Sequence, residues 1–347
     1  MSMHPLPSGS ISHLRPRSLV VGLVILSVVL AACGGGASPT TAPTATATPT
    51  VAMSVAPTLQ PASPAPTALP GLKLLWQAAG PVSGKLVTYW PAIDPVSGDI
   101  WVAASRQNQF WIFKHDGTFV EAWGIAGKGD GQFKLTTNDP SPDSVGAIAF
   151  APDGSFFVAD NGNYRVERFD KDRHFVTKWG SFGVGDGKFS SPKGVATDGS
   201  TVWVADDGGS LQAFDTTGKF LRSTTFPFVL FSRASSGHLF VADPTGVLEV
   251  DAATGNTVKH LDVTWSDLGG DSSDVVADGA GHLFAGLQSD AGPVGLVELD
   301  AGTGAVLGQW SNGAETMAIS PDGKTLYLAY TGPNGTGWPY IQAVSLP

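Results

Sequence analysis

The side chains of this chain that are able to do chemistry are few and scattered. His115, His174, His238, His260 and His282 lie beyond residue 72, and the only cysteine, Cys33, stands far from all of them. Nucleophilic catalysis needs a hydroxyl or thiol within hydrogen-bond reach of a base that a third group orients. No histidine falls beside a plausible nucleophile, so neither a Ser-His-Asp nor a Cys-His set is expected. Asp160, Asp206 and Asp243 recur, each closing a Val-Ala-Asp triplet. An Asp at a strand end accepts hydrogen bonds from the turn it starts, so a structural role is expected ahead of a metal ring. Trp90, Trp265 and Trp338 stand at or near long connections. Exposed there, an indole stacks on a sugar face or anchors a protein; buried, it packs locally.

A repeat must position these residues. Gly183 to Phe214 reads as a Gly-Asp-Gly turn, a Phe, a Pro-x-Gly, an apolar strand, a tight turn and a strand ending Val-Ala-Asp, then another ending at Phe214. The apolar runs are too short for helices and are bounded by Gly, Asp or Pro, which marks strands and turns. The same order occurs upstream from Gly127 to Gly180. The strand itself recurs six times, as Trp101-Val-Ala, Phe157-Val-Ala, Trp203-Val-Ala, Phe240-Val-Ala, Leu283-Phe-Ala and Tyr327-Leu-Ala, about 37 to 55 residues apart. That spacing is the period of a four-stranded propeller blade, a unit that must stack on copies of itself to bury its faces.

An outer strand shows in Phe119–Trp123, Phe175–Trp179 and Val306–Trp310, and in Leu72–Trp76, which has no blade of its own. The chain stops after the third strand of its sixth unit. The prediction is an all-β, six-bladed β-propeller of four-stranded blades over 72–347, with Leu72–Gln77 as the outer strand of the last blade. Such closure removes an open sheet edge.

The run Gly-x-Gly-Asp-Gly-x-Phe, then Pro-x-Gly-Val-Ala, Val-Ala-Asp and Asn163-x-Arg165-Val166-x-x-Phe169-Asp170 resembles NHL repeats. The match is specific from Gly127 to Phe214 and fades into a generic propeller pattern beyond it. The resemblance implies that loops joining outer to next inner strands, and second to third strands, share one functional face. It also implies that Arg165 pairs with neighbouring carboxylates. Enzymes similar to NHL propellers include amidating lyases with an axial histidine zinc site. All five histidines instead fall in the opposite-face turns or an outer strand. Lactonase-type propellers hold an axial divalent ion by carboxylates and an Asn. Here Asp274 and Glu315, at starts of inner strands, with Asn138 or Asn163, are the matching candidates for Ca²⁺ or Mg²⁺; the competing reading is solvated loop acids. Lys193, at the same rim, works against a cation.

The N-terminus carries Arg15 and Arg17, an apolar run from Leu19 to Ala32, and Leu30-Ala31-Ala32-Cys33. About 14 apolar residues are too short to cross a hydrocarbon core of roughly 30 Å. The small residues before a lone Cys resemble the lipobox of bacterial lipoproteins, which implies removal of residues 1–32 and a lipid on Cys33. An ordinary secretory peptide or an uncleaved anchor is the alternative. Residues 33–71 form an uncharged Pro/Thr/Ala-rich tether with too little apolar bulk to fold. Without Arg15 and Arg17 the basic residues fall to 18 against 30 acidic, a balance of about −12. That charge repels phosphate backbones, so no nucleic-acid partner is expected. The sequence therefore predicts a propeller tethered to a bacterial membrane on its extracytoplasmic face. It presents loops to a protein, peptide or glycan and has no cofactor, and a Ca²⁺- or Mg²⁺-dependent lactonase- or lyase-like enzyme is the alternative.

Overall fold

The computed structural model describes residues 72–81, 88–136, 146–207, 209–225, 230–235, 238–289, 292–311, 314, 316–330 and 340–346. Six four-stranded antiparallel sheets follow one another along the chain. Their inner strands are Thr88–Ile93, Ile148–Phe150, Pro192–Thr197, Leu230–Ser235, Asp271–Ala277 and Thr316–Ile319, and each lies against the next around a ring. The chain is a six-bladed β-propeller.

Burial follows position in the blade. The second strands, such as Phe156–Asp160 and Thr201–Asp206, are buried on both faces because each blade is covered by a neighbour on either side. This is why they read as unbroken apolar runs. Outer strands such as Phe220–Thr225 alternate half-buried and exposed. Between blades one and two the core is aromatic: Trp123 meets Phe169 edge-on at 5.2 Å, and Phe156 stacks on Phe169 at 5.1 Å. In blade five the repeat triplet is displaced by one residue from the sequence reading. Phe284, not Leu283, faces blade six as Phe240 faces blade five.

The closing strand is Lys73–Ala79, two residues longer at its end than predicted, and it pairs antiparallel with Tyr340–Ser345. Its pairing register skips Leu75. The same one-residue bulge interrupts the other five outer strands, at Val120, Val176, Leu221, Val258 and Leu307. A bulge sharpens twist and spoils an edge for pairing with another chain. The strand before blade one is thus built as the other outer strands are. Trp76 sits two residues before the register slot of Trp123, and its Nε1 donates to the His115 carbonyl in blade one at 2.7 Å. Gly117, at φ +87°, leaves room for that indole, since a Cβ there would stand 2.7 Å from the ring.

Candidate functional site

The inner strands enclose an axial cavity of about 540 Å³. Ala92, Ala149, Ala196, Val276 and Ala318 line it. Each pairs with the bulky residue of its second strand, Trp101, Phe157, Trp203, Phe284 and Tyr327. Blades converge at the axis, so a large residue fits on the second strand and only a small one beside the bore. Blade four places Arg233 at this register position, opposite Phe240.

Trp90 lines the cavity at the start of the first inner strand. Its φ of 60° is the left-handed region, strained for a bulky residue. Its backbone N–H donates to Thr316 Oγ1 of blade six at 3.0 Å. Next to Thr316, the Met317 N–H donates to Asp274 Oδ2 of blade five at 2.8 Å. The structure thus brings Trp90 and Asp274 to the same end of the cavity through blade six. Asp274 is fully buried, and it joins two inner strands. Glu315, Trp338, Asn138 and Cys33 lie outside the described residues. Trp265 is buried, its Nε1 donating to the Asp243 carbonyl at 2.7 Å, so its indole is local packing and is closed to a ligand. Asn163 donates to Asp160 and to the Gly127 carbonyl, and Lys193 pairs with Asp207 at 3.1 Å.

Four histidines stand against carboxylates: His174 by Asp170, His238 by Glu249, His260 by Asp243 and Asp262, and His282 by Asp278. Among the described residues no three His, Cys, Asp or Glu side chains converge as metal ligands.

The repeated Asp residues are hydrogen-bond acceptors as expected, but two of them reach beyond their own turns. Asp160 accepts from the Lys134 N–H at 2.7 Å, and Asp206 accepts from the Ser190 and Ser191 N–H groups. Both therefore fasten the loop arriving from the preceding blade. Asp243 caps its own turn through Thr245, and Asp160 also accepts from Asn163 of its own turn. Burial pushes the carboxyls of Asp160 and Asp206 up, against the hydrogen bonds they accept.

Those loops, Ile125–Phe133 and Ser181–Phe189, are stiff. Gly127 N–H bonds the Phe133 carbonyl and Gly183 N–H that of Phe189. The Gly131 N–H donates to Glu167 Oε2 and the Gly187 N–H to Gln212 Oε1, both at 2.8 Å. Phe133 and Phe189 are buried as plugs beneath. On top, Phe182 is 69 % exposed and Val184 88 %. The Phe182 ring meets Tyr164 edge-on at 4.9 Å. Tyr164 is itself fixed in the left-handed region at φ 57°. The reading by residue type missed this knob. Its only sequence signal is that Phe182 and Val184 replace Ala126 and Lys128 of the previous loop.

No protein-family model matches the chain, and no curated protein is significantly similar to it. Among solved structures it is similar to hydrazine synthase of Kuenenia stuttgartiensis, with 18% identity and a TM-score of 0.49, over 71% of this chain and 75% of that one. A likeness of that degree carries no argument about activity.

Proposed function

We propose that the chain is an NHL-type binding propeller, lipid-anchored through Cys33 on the outer side of a bacterial membrane, whose loop face captures a protein partner. The observation that carries this reading is the Tyr164–Phe182–Val184 knob. An exposed aromatic on a mobile loop loses entropy on binding, but here the loop is pinned by backbone and side-chain hydrogen bonds before any partner arrives. The direction of the closing strand agrees with display. Lys73 pairs with Ser345, and the Leu346 N–H bonds the Lys324 carbonyl, so the domain is entered on the turn face, opposite the loops.

Cross-linking on native membranes tests both halves. The wild-type chain is expected to sediment with membranes and to give a discrete cross-linked adduct. Cys33→Ala should move the protein to the soluble fraction. Phe182→Ala with Val184→Ser should keep it on membranes and remove the adduct, with an unchanged unfolding midpoint. Retention of Cys33→Ala overturns the anchor, and an adduct indifferent to the knob overturns the docking face. A stoichiometric divalent ion lost on Glu315→Gln would favour the metal-dependent enzyme instead.

A further inference from the structure

The axial cavity reaches the turn face, away from the knob. Its walls are apolar, from Trp90 and Phe150 through Val195 and Val276 to Ile319, and its volume falls in the range of small-molecule sites, roughly 300–1,000 Å³. The bore is long. Blade two alone lines it from Ala147 to Phe150, about 10 Å along the extended chain, and Trp90 stands at its loop end. An elongated apolar body therefore covers more of the wall than a compact one. Two carboxylates, Asp198 and Asp278, line the other end, at the turns that follow the inner strands. Burial raises both, but the turn N–H groups of Thr201 and Ser200 at Asp198, and of His282 and Ala280 at Asp278, outweigh it and hold them ionised.

The two acids differ in what they have left to offer. Asp278 is saturated, with Oδ1 accepting from Ala280 and His282 and Oδ2 held by the His282 ring at 2.7 Å. Asp198 receives every one of its bonds on Oδ1, from Ser200 and Thr201, which leaves Oδ2 without a partner among the described residues. The mouth thus joins an apolar bore to an ionised oxygen that can still accept. An anion there would meet two like charges, in a chain that carries 18 basic against 30 acidic residues beyond Arg17. A bare divalent cation needs several oxygen ligands, and among the described residues no three such side chains converge. A neutral apolar molecule would fill the bore and leave Asp198 Oδ2 to water. An ammonium group on an apolar chain uses both features.

We propose that the axial cavity is a binding site for an organic cation of the aliphatic-amine type, entered from the turn face. Asp198 Oδ2 accepts from the ammonium group at the mouth, where water solvates the remaining N–H donors. The apolar chain lies along the bore towards Trp90. The bore supplies affinity through the area it takes from water, and Asp198 supplies the choice of charge.

Isothermal titration of the full chain with butyl-, hexyl- and octylammonium, 1-octanol and octanoate tests this. Affinity should rise about two- to fourfold per methylene from butyl- to octylammonium. Octylammonium should bind about three- to tenfold tighter than octanol, in keeping with a partly screened charge pair, and octanoate should bind weakest of the three. Asp198→Asn, which keeps the turn's acceptor, should bring octylammonium down to the level of octanol and leave octanol unchanged. Ala149→Met, which puts a longer side chain on the bore wall, should weaken octylammonium more than butylammonium. Should that variant fail to fold, the chain-length series on the wild type decides the same point. Affinity flat with chain length, octanol equal to octylammonium, no binding at millimolar concentration, or an Asp198→Asn variant that keeps the wild-type preference would each overturn the proposal. So would octanoate binding tighter than octylammonium. No partner protein enters the titration, so its result is independent of the docking face.

Discussion

A chain lacking residues 72–79 is expected to lose its single cooperative unfolding transition and to aggregate. The deleted strand pairs with Tyr340–Ser345 from Ala79 back to Lys73, so its loss bares the third strand of blade six as an edge with unpaired backbone groups. Two cores lose material at once. Leu72 belongs with Val344, Leu326 and Trp310, with Leu74 packed against that cluster, while Trp76 packs against the cluster of Ile100, Trp111 and Tyr327. Trp76 also carries the direct link to blade one through the His115 carbonyl. Trp76→Ala alone, which keeps the strand, should cost about 2–3 kcal/mol, below the value for a fully buried indole because Trp76 is half-buried. Denaturant unfolding of the three chains checks the order: the midpoint should fall for Trp76→Ala, and the deletion should lose its sharp transition. A deletion variant with a wild-type midpoint would mean that blade six stands on three strands and that the ring needs no closure.

That strand was legible from Leu72–Trp76 alone because its signal is local. Alternating apolar residues ending in Trp, with no blade around them, meet a last blade one strand short. The blade number was legible for a related reason: the second strands are buried on both faces, and no other segment of this chain repeats an apolar run of that length. What was not legible depends on partners distant in sequence. Asp160 and Asp206 end the same triplet as Asp243, yet the first two hold the preceding loop because Lys134, Ser190 and Ser191 bring their N–H groups there. No spacing rule separates these cases. Trp265 and Trp90 follow similar connections, but Trp265 finds a carbonyl in the core and Trp90 is turned to the bore by an unusual backbone angle. The displaced triplet of blade five has the same origin. Leu283 and Phe284 are both apolar, and only the neighbouring blades decide which of them faces where.

Arg165→Met, at the start of the strand that pins the Ile125–Phe133 loop, is expected to cost about 3–5 kcal/mol at pH 8. The guanidinium, itself buried, donates from Nε to Asp160 Oδ2 at 2.8 Å and from its other nitrogens to the Lys128, Gly129 and Gln132 carbonyls. It also pairs with Glu167. Methionine fills much of the volume but strands two buried carboxylates and three carbonyls, and it releases the loop that carries Phe133. The pH dependence gives the signature of this mechanism. Burial already pushes the Glu167 carboxyl up from 4.5 to about 7, against the pull of Arg165. A carboxyl raised on folding contributes stability that is whole below its unfolded value and is lost as pH rises through the folded one. Wild-type stability should therefore decline between about pH 4.5 and 7 from this group. With Arg165 gone both carboxyls rise further, so the deficit of Arg165→Met should shrink as pH falls from 8 towards 5. Glu167→Gln isolates the second carboxyl. Its amide keeps an acceptor for the Gly131 N–H, as Gln212 does for Gly187 in blade three, and should flatten the decline. Urea midpoints across pH 5 to 8 decide the matter. An Arg165→Met deficit that stays constant with pH would show that the residue acts through packing alone, with its charge irrelevant to the fold.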